Sequence, residues 1–119
     1  MQINQNIFRA YDIRGIASKD LSDEFVASLG SALSHKIKKL GLKQVVVARD
    51  GRLSGARICS TLIESFLDNG INVKNVGMVP SPLLYYAVEK FNTNNGVMIT
   101  GSHNPKEYNG FKIILGGKT

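Results

Sequence analysis

The residues best equipped for chemistry are Thr100-Gly101-Ser102-His103-Asn104-Pro105, where a hydroxyl stands beside an imidazole on a turn bounded by glycine and proline. Gly101 permits backbone angles that other residues resist, and Pro105 fixes the exit. A rigid turn presenting one hydroxyl suits a covalent relay, because the transferring oxygen must be held in line. The simplest alternative is a Ser/Asn-rich turn whose hydroxyl bonds its own backbone, the commonest fate of such residues. A serine hydrolase does not fit: its nucleophile elbow needs glycine two places before and two after the serine, where Thr100 and Asn104 stand. His103, as the next residue, is also badly placed to be its neighbour's base. The closing Gly-Gly-Lys-Thr resembles the end of a P-loop, but that motif needs glycine where Lys112 stands. Phosphoryl chemistry on Ser102 therefore stays open beside the plain turn. Lys112 could reach back to the loop and Arg14 lies near the start of the chain, and two such cations would neutralise and orient a seryl phosphate.

Composition limits what surrounds this loop. The 119 residues make one domain of ordinary size, 1–119, with 43% hydrophobic and 20% charged residues, a globular balance. The longest apolar run, Leu83 to Val88, is too short to span a bilayer, so no membrane partner is expected. Cys59 is the only cysteine, which excludes an internal disulfide and a cysteine-cluster zinc site. No Asn-x-Ser/Thr acceptor or signal-peptide start occurs, so a cytoplasmic location is expected. The net charge is +6, but it is dispersed. Its densest run, Lys36, Lys38, Lys39 and Lys43, falls at a helix end, where cations complement the dipole. Without tryptophan or a basic patch interleaved with aromatics, nucleic acid is not the expected partner. A phosphorylated small molecule fits the same charge. His35 reads as a solvated helix residue.

The periodicity alternates strands and helices. Asn6–Tyr11 reads as an extended start, followed by the turn-like Asp12-Ile13-Arg14-Gly15. Ser22 caps a helix with Phe25, Val26, Leu29, Leu33, Ile37 and Leu40 on one stripe, stopped at Gly41. Val45–Ala48 is a β-branched run of the kind buried on both faces. Ser54 is placed to cap a second helix that ends at Asn69-Gly70. Ile71–Val76 reads as a strand, Pro80 to about Phe91 as a short helix, and Val97–Thr100 and Gly110–Leu115 as strands. The last pair is joined by a short loop and should be antiparallel. The fold class is α/β: a layered sandwich of a mixed, mostly parallel four-stranded sheet with helices on both faces. In such sheets ligands sit at the carboxyl ends of strands, which is where Arg49-Asp50-Gly51-Arg52, Pro80-Ser81-Pro82 and the Ser102 loop fall.

Four segments carry a resemblance. Thr100–Pro105 with Glu107-Tyr108-Asn109-Gly110-Phe111-Lys112 is similar to the phosphoserine loop of the α-D-phosphohexomutases. Phe8-Arg9-Ala10-Tyr11-Asp12-Ile13-Arg14-Gly15 resembles that family's N-terminal signature. Val47–Gly55 and Gly77–Pro82 match two more of its segments, in the family's order. The resemblance implies the first domain of an isomerase that moves phosphate between C1 and C6 of mannose or glucose monophosphates. Ser102 would carry the phosphoryl group, with hexose 1,6-bisphosphate as intermediate and activator. One phosphoryl oxygen on Ser102 would be a ligand of Mg²⁺. Lys112 and Arg14 would act in proton transfer and phosphate contact, His103 as a hydrogen-bond donor, and Tyr11 as part of the cleft floor. Arg49, Asp50 and Arg52 read as an ion-paired strand end that braces the loop.

Members of that family run to about four domains of this size. The metal, sugar-selecting and second phosphate loops of those further domains have no counterpart in residues 1–119, and no Asp-x-Asp spacing occurs. The chain alone is therefore expected to be inactive and to work with the remaining domains. Two alternatives stand beside this reading. One is a stand-alone sugar-phosphate-binding or phosphoacceptor module. The other is the first domain of the sibling branch acting on glucosamine phosphates, which more often has alanine where Gly101 stands.

Overall fold

The computed structural model describes residues 8–9, 12–90, 93–101 and 104–116. In chain order the elements are β1 (Phe8–Arg9), β2 (Asp12–Ile16), α1 (Asp23–Lys39), β3 (Gln44–Arg49), α2 (Gly55–Asp68), β4 (Asn72–Met78), α3 (Ser81–Lys90), β5 (Gly96–Ile99) and β6 (Tyr108–Ile114). They build one sheet in the order β1-β2-β6-β5-β3-β4. Strands β4 and β5 run parallel to β3, whereas β1–β2, β2–β6 and β6–β5 are antiparallel pairs.

Two sequence expectations are corrected here. The α/β sandwich with a mixed sheet is as expected, but the sheet has six strands among the described residues rather than four, and its antiparallel pairs outnumber the parallel ones by three to two. The cause of both is Asp12-Ile13-Arg14-Gly15, which reads as a turn but lies in strand β2, Asp12–Ile16. Its burial alternates, with Ile13 inward and Asp12 and Arg14 half-exposed, as a half-buried strand requires. It extends the sheet by pairing with β6, Ile13 opposite Phe111 and Asp12 opposite Lys112. The antiparallel join of β5 to β6 is as the short loop implied.

Helices cover both faces. Val45 and Val47 point into a core with Leu33, Ile37, Leu62 and Phe66 of α1 and α2. Val46 and Ala48, the alternate residues, point into a second core with Leu84, Ala87 and Val88 of α3. The β-branched run of β3 is thus fully buried on both sides, which is why it shows no polar alternation. Ser22 caps α1 through its Oγ, which accepts from the Phe25 N–H at 3.1 Å. Ser54 does not cap α2 in this way. Its Oγ accepts instead from Asn109 Nδ2 at 2.9 Å, which ties the start of α2 to β6.

The two helices on one face are held close by Gly30. A Cβ on Gly30 would stand 2.6 Å from Ser65 Cβ and closer still to its Oγ, while that Oγ donates to the Ala27 carbonyl at 2.7 Å. Helix propensity favours alanine over glycine by about 1 kcal/mol. Overpacking costs about 1–3 kcal/mol, so the steric effect wins. Gly30→Ala should therefore lower the urea unfolding midpoint; a raised midpoint would show that the helices part without cost.

Candidate functional site

Two Asp-x-Arg pairs organise the carboxyl end of the sheet and its flank. At the end of β3, Asp50 and Arg52 share a salt bridge, Nε to Oδ2 at 3.3 Å, with side chains only 26% and 15% exposed. The Arg52 guanidinium also donates to main-chain carbonyls of the loop between β5 and β6. Nη1 donates to Pro105 O at 2.6 Å and to Tyr108 O at 3.1 Å, and Nη2 to Asn104 O at 2.9 Å. Asp50 holds the other end of the same loop: Oδ2 accepts from Thr100 Oγ1 at 2.8 Å and from the Gly101 N–H at 3.2 Å. Its Oδ1 accepts from the Arg52 N–H at 3.1 Å. The loop also bonds across itself, Asn104 N–H to Gly101 O at 3.0 Å and Tyr108 N–H to Pro105 O at 2.9 Å. A side chain at 101 would run into the Arg52 guanidinium, so glycine there leaves the guanidinium its place.

Arg52 and Asp50 thus form the ion-paired strand end that braces the loop, as their sequence position suggests. Arg49 is half-buried at the end of β3 and takes no part in that pair. Ser102 and His103 fall within the braced segment in sequence and lie outside the described residues, as does Tyr11.

The second pair stands on β2. Arg14 makes a two-point contact with Asp12, Nη2 to Oδ2 at 2.7 Å and Nε to Oδ1 at 3.3 Å. The hydrogen bond that Arg14 donates to Asp12 raises the Arg14 pKa above its ordinary value, against the smaller lowering by burial, so the guanidinium keeps its charge. This cation is not in a turn, as the sequence suggested, but on a strand facing β6.

Register then brings the predicted cations together. Arg14 pairs with Gly110 and Asp12 with Lys112, and residues directly opposite share one face. Lys112 is also opposite Met98, a member of the α3-side core, so Arg14 and Lys112 stand on that face of the sheet. Gly110 makes the close approach possible. A Cβ there would clash with the Ile13 carbonyl and stand 3.0 Å from Arg14 Cα and 3.1 Å from Arg14 Cγ.

Asp12, the partner of Arg14, is the residue the sequence reading passed over; its alternation with Arg14 in a strand is the signal that marks it. The Asn109–Ser54 bond is a second such contact, and no local pattern announces it. His35 is exposed on α1, as expected of a solvated residue.

Beside the loop is an open cleft of about 870 Å³, lined by residues that include Gly51, Arg52, Leu53, Ser54, Asn104 and Lys106. Neither Arg14 nor Lys112 lines it. Among the described residues no group of three or more His, Cys, Asp or Glu could hold a metal ion. The two carboxylates of the site, Asp12 and Asp50, are each engaged by an arginine. The described residues therefore do not build a magnesium site on their own. No helix among them is long and apolar enough to cross a membrane.

Residues 5–118 match the family described as phosphoglucomutase/phosphomannomutase, alpha/beta/alpha domain I. A phosphoglucomutase of Neisseria meningitidis serogroup B is 50% identical over 117 residues, 98% of this chain and 25% of that protein. A phosphomannomutase/phosphoglucomutase of Pseudomonas aeruginosa is 48% identical over 114 residues, 96% of this chain and 25% of that protein. The chain thus spans about a quarter of the length of these relatives. In the crystal structure of a phosphoglucomutase/phosphomannomutase family protein from Burkholderia thailandensis, the matching part has a TM-score of 0.89 at 41% identity, covering 98% of this chain and 27% of that one. With this sheet, these helices and these matches, the chain belongs to the phosphoglucomutase/phosphomannomutase family and is its α/β/α domain I.

Proposed function

We propose that this domain carries the phosphoryl group of a hexose-phosphate mutase on Ser102. The observation that supports it most is that the braced loop leads directly into β6, whose pairing with β2 presents Arg14 and Lys112 on one face of the sheet. In the resting state Ser102 holds a phosphate. A hydroxyl oxygen of mannose or glucose monophosphate attacks the phosphorus, the seryl O–P bond breaks, and the hydroxyl proton passes to the seryl oxygen. The product is hexose 1,6-bisphosphate. Transfer of the other phosphoryl group back to Ser102 completes an isomerisation between the 1- and 6-phosphates.

Arg14 and Lys112 neutralise the charge on the transferred group, as phosphoryl transfer requires. Arg14 suits this because Asp12 fixes its plane through Nε and Nη2, and no described residue takes Nη1. Lys112 is the acid/base candidate, His103 a donor to the phosphate, and Tyr11 part of the cleft floor. Magnesium at a Ser102 phosphoryl oxygen would need ligands beyond the described residues, so no step here is routed through it. Such ligands, and the rest of the sugar site, would come from further domains of the kind the relatives' length accommodates. The 119 residues alone are expected not to turn over hexose phosphate. A cytoplasmic setting suits these substrates.

Two experiments test this reading. After incubation with glucose 1,6-bisphosphate, intact mass should show one added phosphate, about 80 Da, absent in Ser102→Ala. Addition that survives Ser102→Ala would place the phosphate elsewhere. In the same mixture, supplied with glucose 1-phosphate and magnesium, steady production of glucose 6-phosphate would refute the inactivity of the isolated chain.

Binding of glucose 1-phosphate, followed by calorimetry, should weaken about tenfold in Arg14→Ala and in Lys112→Ala, the scale of one charge-assisted hydrogen bond. Lys36→Ala and Lys39→Ala remove the same charge from the far end of α1 and should leave it unchanged. Equal weakening in all four would mean that net charge, not this site, attracts the ligand.

A further inference from the structure

The bonds made by Arg52 point to a role beyond holding a strand end. Its guanidinium lies against Gly101 and donates to the carbonyls of residues 104, 105 and 108, while Asp50 takes the N–H of residue 101 and the hydroxyl of residue 100. The main chain on both sides of Ser102 is thereby fixed to one ion pair, Gly101 by its N–H and Asn104 by its carbonyl. Arg52 reaches the loop from the β3–α2 connection, whereas Arg14 and Lys112 stand on β2 and β6. The two Asp-x-Arg pairs have the same spacing and different uses: one has its donors turned onto the protein's own backbone, the other keeps Nη1 without a described partner.

We propose that Arg52, held by Asp50, is the positioning residue that sets where the Ser102 hydroxyl meets the phosphoryl group. This rests on the phosphoserine reading above and deepens it. Arg52 acts through the main chain of the loop that it holds. The step it governs is attack of the Ser102 oxygen on a phosphorus of hexose 1,6-bisphosphate: the new O–P bond forms, the sugar O–P bond breaks, and the serine proton goes to the released sugar oxygen. A displacement of about 1 Å at such a centre costs on the order of 10²-fold in rate. Lysine is no substitute, because a single ammonium cannot serve one carboxylate and three carbonyls in the plane of a fork.

The test uses the 119-residue chain with Arg52→Lys, and Asp50→Asn in case the first variant folds poorly. Three readouts are taken: amide hydrogen exchange at Gly101, Asn104 and Tyr108, the rate of Ser102 phosphorylation by glucose 1,6-bisphosphate, and the affinity for glucose 1-phosphate. Exchange at those three amides should rise about tenfold, the loss of one or two charge-assisted bonds, with core amides of α1 and α2 unchanged. Phosphorylation should slow by about tenfold or more, while glucose 1-phosphate binds within about twofold of the wild type, a rate effect without a binding effect. Exchange that stays at the wild-type rate would overturn the brace. Faster exchange with undiminished phosphorylation would overturn the positioning role. If the wild-type 119 residues take up no phosphate, the same rate is measured with the chain in a protein that carries the further domains proposed above; no phosphate on Ser102 there would overturn the phosphoserine reading, and the exchange rates alone would then decide whether Arg52 holds the loop.

Discussion

A single guanidinium, that of Arg52, serves one carboxylate and three main-chain carbonyls at the end of a parallel strand. Such planar, charge-assisted bonding is about twice as strong per bond as the neutral kind, and its fixed fork leaves little rotational freedom to lose. Because the pair is largely shielded from solvent, salt screens it less than an exposed ion pair. The loop between β5 and β6 has few apolar residues with which to pack itself. Its shape is therefore set by Asp50 and Arg52, and the sheet sets theirs.

The sheet does this by burying β3 on both faces. Val45 to Ala48 are inaccessible to solvent, so the strand cannot shift register without exposing one core or the other. Its neighbour β5 delivers Thr100 and Gly101 to Asp50, and β6 returns from the loop to pair with β2. That last pairing carries Arg14 to Gly110 and Asp12 to Lys112. One sheet thus fixes both halves of the site: the loop through β3 and β5, the cations through β2 and β6.

Much of this was legible in the sequence where the signal is local. The doubly buried β3, the Ser22 cap and the glycine stops at Gly41 and Gly70 follow from propensity and pattern, and both glycines have the positive φ that a helix stop needs. The Asp-x-Arg spacing at residues 50 and 52 announced an ion pair. Asp12–Ile16 misled because Asp12 and Gly15 are turn formers, and the partner that makes the segment a strand lies a hundred positions later, at Lys112. Ser54 misled for a similar reason: a long-range bond from Asn109 takes the oxygen that a local rule assigns to the helix. Long-range pairing, not local chemistry, was the hidden part.

The most direct test of the central claim is the ³¹P spectrum of the chain after incubation with glucose 1,6-bisphosphate, followed through a pH titration. One protein-bound resonance is expected, lost in Ser102→Ala. Its second ionisation should fall below the value of about 6 for an isolated seryl phosphate, because Arg14 and Lys112 favour the dianion. In Arg14→Ala it should move back toward that value. A bound phosphate that titrates like the isolated group and ignores Arg14→Ala, or one that persists in Ser102→Ala, would overturn this assignment.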